Sequence, residues 1–411
     1  MKNTRCCIGD SACTAGNFSD ILSLGELPLG NPVGEDRKEG AWKGEFVLSR
    51  CNQCGCIQTN STVPDEELRR EAFYVSAHTQ AIVTNYQRQI TNLESNTGIT
   101  KESKILEVGC GDGLLLNLFY EKGYRNLLGV EPNSFPEKYP VEIIRDFFND
   151  TTPDLIRSRN FLPGLVICNS VIETIPGLQS FFRNVSSLMK PGTFMFVEVP
   201  YLPGYLDGKR LDAFSHLTAN WFTAESIASI CKAWSFDVHH FVIDDQYRGG
   251  SMLITLRKRM NEKSMHSADF LKILTTEKTR FENGYFRNLD QETASLRKRI
   301  KESVDSLNKE GYLLVGYGGG LKAATTLNWL GLNSQSVSFA VDRDKYKHGK
   351  FIPGTGIPIK PLEELTGEGK IAVIVFALHY LEEVLAYLKS ILSRDARVII
   401  PLPEPQIISM N

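Results

Sequence analysis

Apolar positions along this chain come in short runs, and their spacing changes several times. Residues 1–60 carry brief apolar stretches between turns, the pattern of short strands. Residues 65–95 read as helical, with Phe73, Tyr74, Ile82, Tyr86 and Ile90 set among polar positions. Short apolar runs then alternate with helix-like segments. Strands are expected at 104–108, 126–130, 165–169 and 193–199, and helices at 114–122 and 178–189. Such alternation predicts a parallel sheet with helices on both faces. Residues 258–308 are charged and proline-free, with apolar residues from Phe270 to Ile300 recurring at helical spacing. They predict one or two linking helices. A second series follows, with strands at 313–316, 336–341, 371–376 and 397–401 and helices at 322–330 and 381–393. The expected class is α/β, in four parts: a small unit at 1–65, a Rossmann-like core at 66–258, a helical linker at 259–308 and a second Rossmann-like unit at 309–411.

Composition narrows the class. The 411 residues, 42% hydrophobic and 23% charged, suffice for several buried cores. Net charge is -2, from 46 basic and 48 acidic residues, and no dense basic patch points to nucleic acid. The longest apolar run, 371–378, is far short of a bilayer span, and the start MKNTRCCIGDS lacks an apolar signal core. A soluble cytoplasmic chain is expected, with neither nucleic acid nor membrane as partner.

Cys6, Cys7, Cys13, Cys51, Cys54 and Cys56 crowd the N-terminus, while Cys110, Cys168 and Cys231 are scattered. In a reducing compartment clustered thiols point to metal rather than disulfides. Cys51-Asn-Gln-Cys54-Gly55 is a knuckle that can aim two thiolates at one zinc ion. Cys13 is a natural third ligand. Cys7, Cys6 and Asp10 compete for the fourth place, and Cys7 is favoured. The expected set is Cys7, Cys13, Cys51 and Cys54, in a small zinc ribbon.

The segment ILEVGCGDG at 105–113 is a strand running into a glycine turn and a helix. Glycines let backbone approach a ligand closely. Glu107 sits two residues before Gly109, where phosphate-binding loops are usually apolar; an acid there suits a cationic ligand. Glu131 ends the next strand, where a carboxylate chelates ribose hydroxyls. Together these resemble class I S-adenosylmethionine (SAM)-dependent methyltransferases. The resemblance implies that the loop with Gly109, Gly111 and Gly113 takes the aminocarboxypropyl end of SAM and Glu131 the ribose, with Glu107 a further cofactor-binding candidate. It places Asp146 and Phe147 near the adenine, and Asn169 and Ser170 on the methionine side.

Further segments, in order, are LSLGELPLGN at 22–31, EVPYL at 198–202, GGSMLI at 249–254, GYGGGLKAATTLN at 316–328 and GKFIPGTGIPI at 349–359. In this order they resemble the three-domain sugar C-methyltransferases, over nearly the whole chain. The resemblance implies a zinc-binding N-terminal domain, a SAM domain and a C-terminal Rossmann-like domain. It also implies a dTDP- or GDP-linked keto-deoxysugar as substrate. Gly318, Gly319 and Gly320 would offer N–H groups to its diphosphate, Lys322 a charge and Asp342 a contact to ribose or base. Tyr201 and Tyr247 are expected on the substrate side.

C-methylation beside a ketone needs a base to take the α proton and polar groups to steady the enolate. His216 matches the family's base and Tyr74 a family active-site tyrosine. The usual glutamate before the histidine is Ser215, and the aromatic three residues ahead of it is Ala213. A further family histidine is replaced by Thr174, next to Glu173; His78 is another candidate. These departures leave rivals open: another methyl acceptor, an inactive nucleotide-sugar binder or, less well supported, an NAD-dependent oxidoreductase.

Overall fold

A computed structural model describes residues 5–8, 13, 16–38, 40–61, 63–64, 66–67, 80–135, 139–244, 250–365 and 369–410. Tyr74, His78 and Tyr247 lie outside the described residues.

Among the described residues three sheets organise the chain. The first runs in the order Phe18–Pro28, Lys43–Cys51, Ile57–Thr59 and Asn220–Trp221, all antiparallel. Its last strand comes from far along the sequence, so the N-terminal sheet is completed by the middle of the chain.

The second sheet has seven strands, in the order Phe236–Asp244, Ser251–Lys258, Phe194–Pro200, Leu165–Asn169, Ile105–Val108, Leu127–Val130 and Glu142–Ile144. The last five are parallel, as expected. The first two are antiparallel additions, which corrects the purely parallel sheet predicted from the sequence. Strand order reverses between Ile105–Val108 and Leu165–Asn169. Ligands of such sheets bind at this switch point, beyond the carboxyl ends of the strands.

The third sheet repeats the plan. Its order is Phe351–Ile352, Ile357–Lys360, Phe339–Val341, Leu313–Tyr317, Ile371–Val375, Arg397–Ile400 and Gln406–Ser409, with an antiparallel strand at each edge. Its switch point lies between Leu313–Tyr317 and Ile371–Val375.

The linker forms two helices, Ala268–Glu282 and Leu289–Lys309, with Gly284 in the left-handed region at the break (φ 85°). Leu296, Ile300, Val304 and Leu307 line one side of the second helix and are buried. They join a core that also holds Leu22, Phe46, Phe214, Trp221, Leu327 and Ile374. One apolar core therefore links the N-terminal sheet, the 202–222 segment and the third sheet. Truncating Phe214, fully buried against Phe46 and Trp221, would cost about 3–5 kcal/mol. Among the described residues no helix is long and apolar enough to cross a membrane.

Candidate functional site

Strand Ile105–Val108 delivers its chain into the first glycine loop at the switch point. Gly109, Gly111 and Gly113 adopt φ of 72°, 56° and 86°, conformations an L side chain would strain. Gly111 donates its N–H to Glu131 Oε2 at 3.1 Å, and Asn133 donates backbone and side-chain N–H groups to Glu131 Oε1 at 2.9 Å. The ribose candidate is thus locked against the loop.

Glu107 is 3% exposed, and its Oε2 has no hydrogen-bond partner. Burial, then the charges of Asp112 and Glu131, raise its pKa to about 8. An orphaned buried acid beside two others is a site in want of a cation. Asp146 accepts the Phe147 N–H at 2.7 Å, and the Phe147 ring is 65% exposed, an aromatic face available for stacking.

At the end of Leu165–Asn169, Asn169 donates to Gln89 Oε1 at 2.9 Å, and Gln89 donates to Glu198 Oε2 at 2.6 Å. Asn169 Oδ1 keeps no partner. Ser170 is held at φ 53°, a costly conformation for serine that collects at functional sites. Gln89 was missed from sequence; its only signal is a polar residue on the buried side of the helix Gln80–Thr97.

His216 is 4% exposed and packs against Trp42 and Phe46. Ser61 Oγ is 2.6 Å from Nδ1 and the Gly44 carbonyl 3.1 Å from Nε2. Ser215, in the family's glutamate position, donates to the Leu29 carbonyl at 3.3 Å. The backbone carbonyl of Glu173 accepts the N–H groups of Ala219 and Asn220 at 2.7 and 2.9 Å, so the Glu173 turn braces the segment that follows His216. Tyr201 is buried, and burial together with the charge of Glu277 on the first linking helix drives its pKa up.

In the third sheet Gly318 has φ 97°, and Gly319 donates to Asp342 Oδ2 at 2.8 Å. Lys347 also reaches that oxygen at 3.0 Å. Gly320 begins the helix Leu321–Leu330 with no side-chain cap, leaving N–H groups open at its first turn. Lys322, on that turn, has its Nζ sealed from solvent and lacks a hydrogen bond. Its nearest acid, the buried Asp212, is 3.6 Å away, and Arg210 Nε stands 3.7 Å from the other carboxylate oxygen. Burial pulls Lys322 down to about 8. Arg210 and Asp212 escaped the sequence reading because their partner is over a hundred residues away. A cavity of about 350 Å³, lined by Glu26, Lys43, Arg297 and Asn333 among others, lies at the opposite end of this helix from the glycine loop.

The sulfurs of Cys6, Cys13, Cys51 and Cys54 all lie within 4.8 Å of one another. Gly55 (φ 73°) turns the knuckle and donates to the Cys51 carbonyl at 3.0 Å. Cys6 thus takes the place expected of Cys7. The Cys7 peptide is fixed by Gln58 Oε1 at 2.9 Å and the Leu178 N–H at 2.7 Å, and its thiol is not among the four. Asp10 lies outside the described residues.

A family model for a methyltransferase domain matches residues 79–240, and one for the C-methyltransferase C-terminal domain matches 246–403. The C-methyltransferase NovU of Streptomyces niveus is 27% identical over 412 aligned positions, covering 97% of this chain and 96% of NovU. Among solved structures, a 1,6-didemethyltoxoflavin-N1-methyltransferase of Burkholderia thailandensis matches at 15% identity and a TM-score of 0.36, covering 52% of this chain and 96% of that one. A SAM-dependent methyltransferase from Mesorhizobium loti matches at 14% identity and a TM-score of 0.31, covering 42% and 96%. With both family models matching in order along one chain, and a C-methyltransferase aligned end to end, the chain belongs to a family of SAM-dependent C-methyltransferases.

Proposed function

We propose that this enzyme methylates the carbon α to the ketone of a nucleotide-diphospho keto-deoxysugar, through an enolate. The observation that carries the acceptor class is Lys322. A sealed ammonium without a hydrogen bond, on the uncapped first turn after a glycine loop, is a poised anion site. A sugar diphosphate has the charge to complete it. Gly318, Gly319 and Gly320 line the approach, and Asp342, which orders the loop through Gly319, is the proposed ribose or base contact.

SAM supplies an electrophilic methyl group on a sulfonium. The residues at the first switch point suit it. Glu107 provides the missing countercharge, Glu131 a ribose acceptor, Asp146 and Phe147 the adenine contacts, and Asn169 and Ser170 the wall toward the acceptor. His216 is the proposed base. Nε2 holds its proton against Gly44, so Nδ1 is the atom that takes the α proton, once the Ser61 hydroxyl turns away. Tyr74 is the proposed assistant, by resemblance. Four thiols, Cys6, Cys13, Cys51 and Cys54, form a donor set suited to one structural zinc ion. The units 1–65, 66–258, 259–308 and 309–411 would then serve zinc, SAM, linkage and nucleotide sugar in a cytoplasmic enzyme.

The test is mass spectrometry of protein with SAM and a panel of dTDP- and GDP-4-keto-6-deoxysugars in deuterated water. Gain of one methyl with loss of the exchangeable α hydrogen is expected for one of them. Deuterium exchange without methyl gain would mean a working base and the wrong acceptor. Neither change across the panel, with SAM bound, would point to a different acceptor class.

A further inference from the structure

The segment that carries His216 is tied three times to the helix Leu321–Leu330, which follows the second glycine loop. Thr325 lies one turn after Lys322 in that helix, so the two share a face. A threonine inside a helix can donate to the carbonyl four residues earlier, as Thr275 and Thr279 do. Thr325 instead donates out of its helix, to the Phe214 carbonyl at 2.9 Å, in a buried place. Lys322 faces Asp212 at 3.6 Å. The third tie runs through Leu321. A Cβ on Gly30 would collide with the Leu321 side chain, and the neighbouring Leu29 carbonyl accepts the Ser215 hydroxyl at 3.3 Å. Ser215 Oγ in turn accepts the Leu217 N–H at 3.1 Å, closing the turn around His216.

Both ends of this connection have an alternative arrangement. Lys322 is too far from Asp212 for a hydrogen bond, and its ammonium has none. A diphosphate at the uncapped first turn would take that ammonium, while Asp212 keeps Arg210 at 3.7 Å. At the other end, Ser61 covers Nδ1 of His216 at 2.6 Å, a bond that has to break before the ring can take a proton. One arrangement has the ion pair made and the base covered. The other has the diphosphate bound and the base free. The Thr325 hydrogen bond makes the segment follow the helix from one to the other.

We infer that Thr325 is a positioning residue that transmits occupancy of the diphosphate site to His216, so that filling this site uncovers the base. The inference rests on the diphosphate site and the base proposed above, and adds the link between them.

Proton–carbon NMR of the full-length protein, labelled at histidine Cε1, tests it, with the His216 signal identified by its loss in His216→Gln. Saturating dTDP or GDP, which carries the diphosphate and no sugar, is expected to shift that signal in the wild type. In Thr325→Val the nucleotide still binds, as calorimetry reads, and the shift is lost. Thr325→Ser, which keeps the hydroxyl, restores it. A wild-type signal that stays in place with nucleotide bound overturns the link and leaves the diphosphate site standing. A full shift in Thr325→Val overturns it too. If neither nucleotide binds the wild type, the diphosphate site fails and the link falls with it. Asp212→Asn, which keeps the shape and removes the charge, decides the matter should Thr325→Val not fold. Its His216 signal should already lie toward the nucleotide-bound position before nucleotide is added, and an unmoved signal overturns the link.

Discussion

Ser61 Oγ stands 2.6 Å from Nδ1 of His216, joining the end of the N-terminal sheet to a segment over a hundred residues later. The Gly44 carbonyl, at 3.1 Å from Nε2, can only accept, so the proton sits on Nε2 and Ser61 donates to Nδ1. The hydrogen bonds thereby select the tautomer a base needs. Burial pushes the imidazole pKa down to about 4, which keeps it neutral at physiological pH but makes it a weak base.

The depressed pKa sets an acid dependence. The unfolded chain takes up this proton first as pH falls, because its histidine titrates near 6.5 and the folded one near 4. His216 therefore contributes fully above pH 6.5, loses its contribution progressively toward pH 4 and changes nothing below, with an upper limit of about 3 kcal/mol. Urea unfolding at pH 7.5 and 4.5 should show a smaller acid loss in His216→Gln than in the wild type. Equal losses would mean the ring titrates normally in the fold. If His216 is the base, kcat at saturating SAM and nucleotide-sugar should also stay flat from about pH 8 down to about 5; a limb near 6.5 would assign the base elsewhere.

Glu107 leads to the opposite sign for SAM. With its pKa raised to about 8, the free enzyme holds it mostly protonated at neutral pH, while a cationic ligand needs the carboxylate. SAM affinity should rise about tenfold per pH unit between about 5.5 and 7.5. Glu107→Gln should flatten that dependence and weaken binding about 10- to 100-fold at pH 7.5. Calorimetric titration reads both, and a pH-independent wild type sinks the assignment.

Gln89 positions rather than reacts. It joins Asn169 to Glu198 by bonds of 2.9 and 2.6 Å in a buried place. Gln89→Leu removes one hydrogen bond from each of two polar side chains, and about 1–3 kcal/mol of stability should go with it. If the link also aims Asn169, SAM affinity should fall in this variant, and unchanged affinity would mean that the link serves stability alone.

The legible parts of this chain were the local ones. Glycine loops at 109–113 and 318–320, and the strands and helices around them, announce themselves within a few residues. Long-range pairing did not. Asn220–Trp221 is too short to show a period, yet it completes the N-terminal sheet against Ile57–Thr59. Phe236–Asp244 and Ser251–Lys258 form an antiparallel pair, and the masking of sheet edge from sheet centre in sequence hid their place beside Phe194–Pro200. Cys6 and Cys7 are adjacent, so spacing alone could not say which thiol turns to Cys54; backbone bonds from Gln58 and Leu178 decide it. Tyr201 was assigned by motif, and its partner Glu277 sits on a helix read only as scaffold.

The arrangement of Lys322 and Asp212 separates nucleotide binding from SAM binding. Their charges meet at 3.6 Å, too far for a hydrogen bond, with Arg210 on the other side of the carboxylate. Removing Asp212 leaves two half-buried cations without the acid between them, so Asp212→Ala should destabilise the fold by about 1–3 kcal/mol. Lys322→Gln leaves Asp212 paired with Arg210 and should fold. If the ammonium holds the diphosphate, that variant loses one charge-assisted contact. Its Kd for the nucleotide-sugar should rise about 10- to 100-fold, with SAM affinity unchanged. The free nucleoside diphosphate should weaken in parallel, because the contact is to the phosphates and not to the sugar. Unchanged nucleotide binding in a folded Lys322→Gln would show that the lysine serves the buried ion cluster alone.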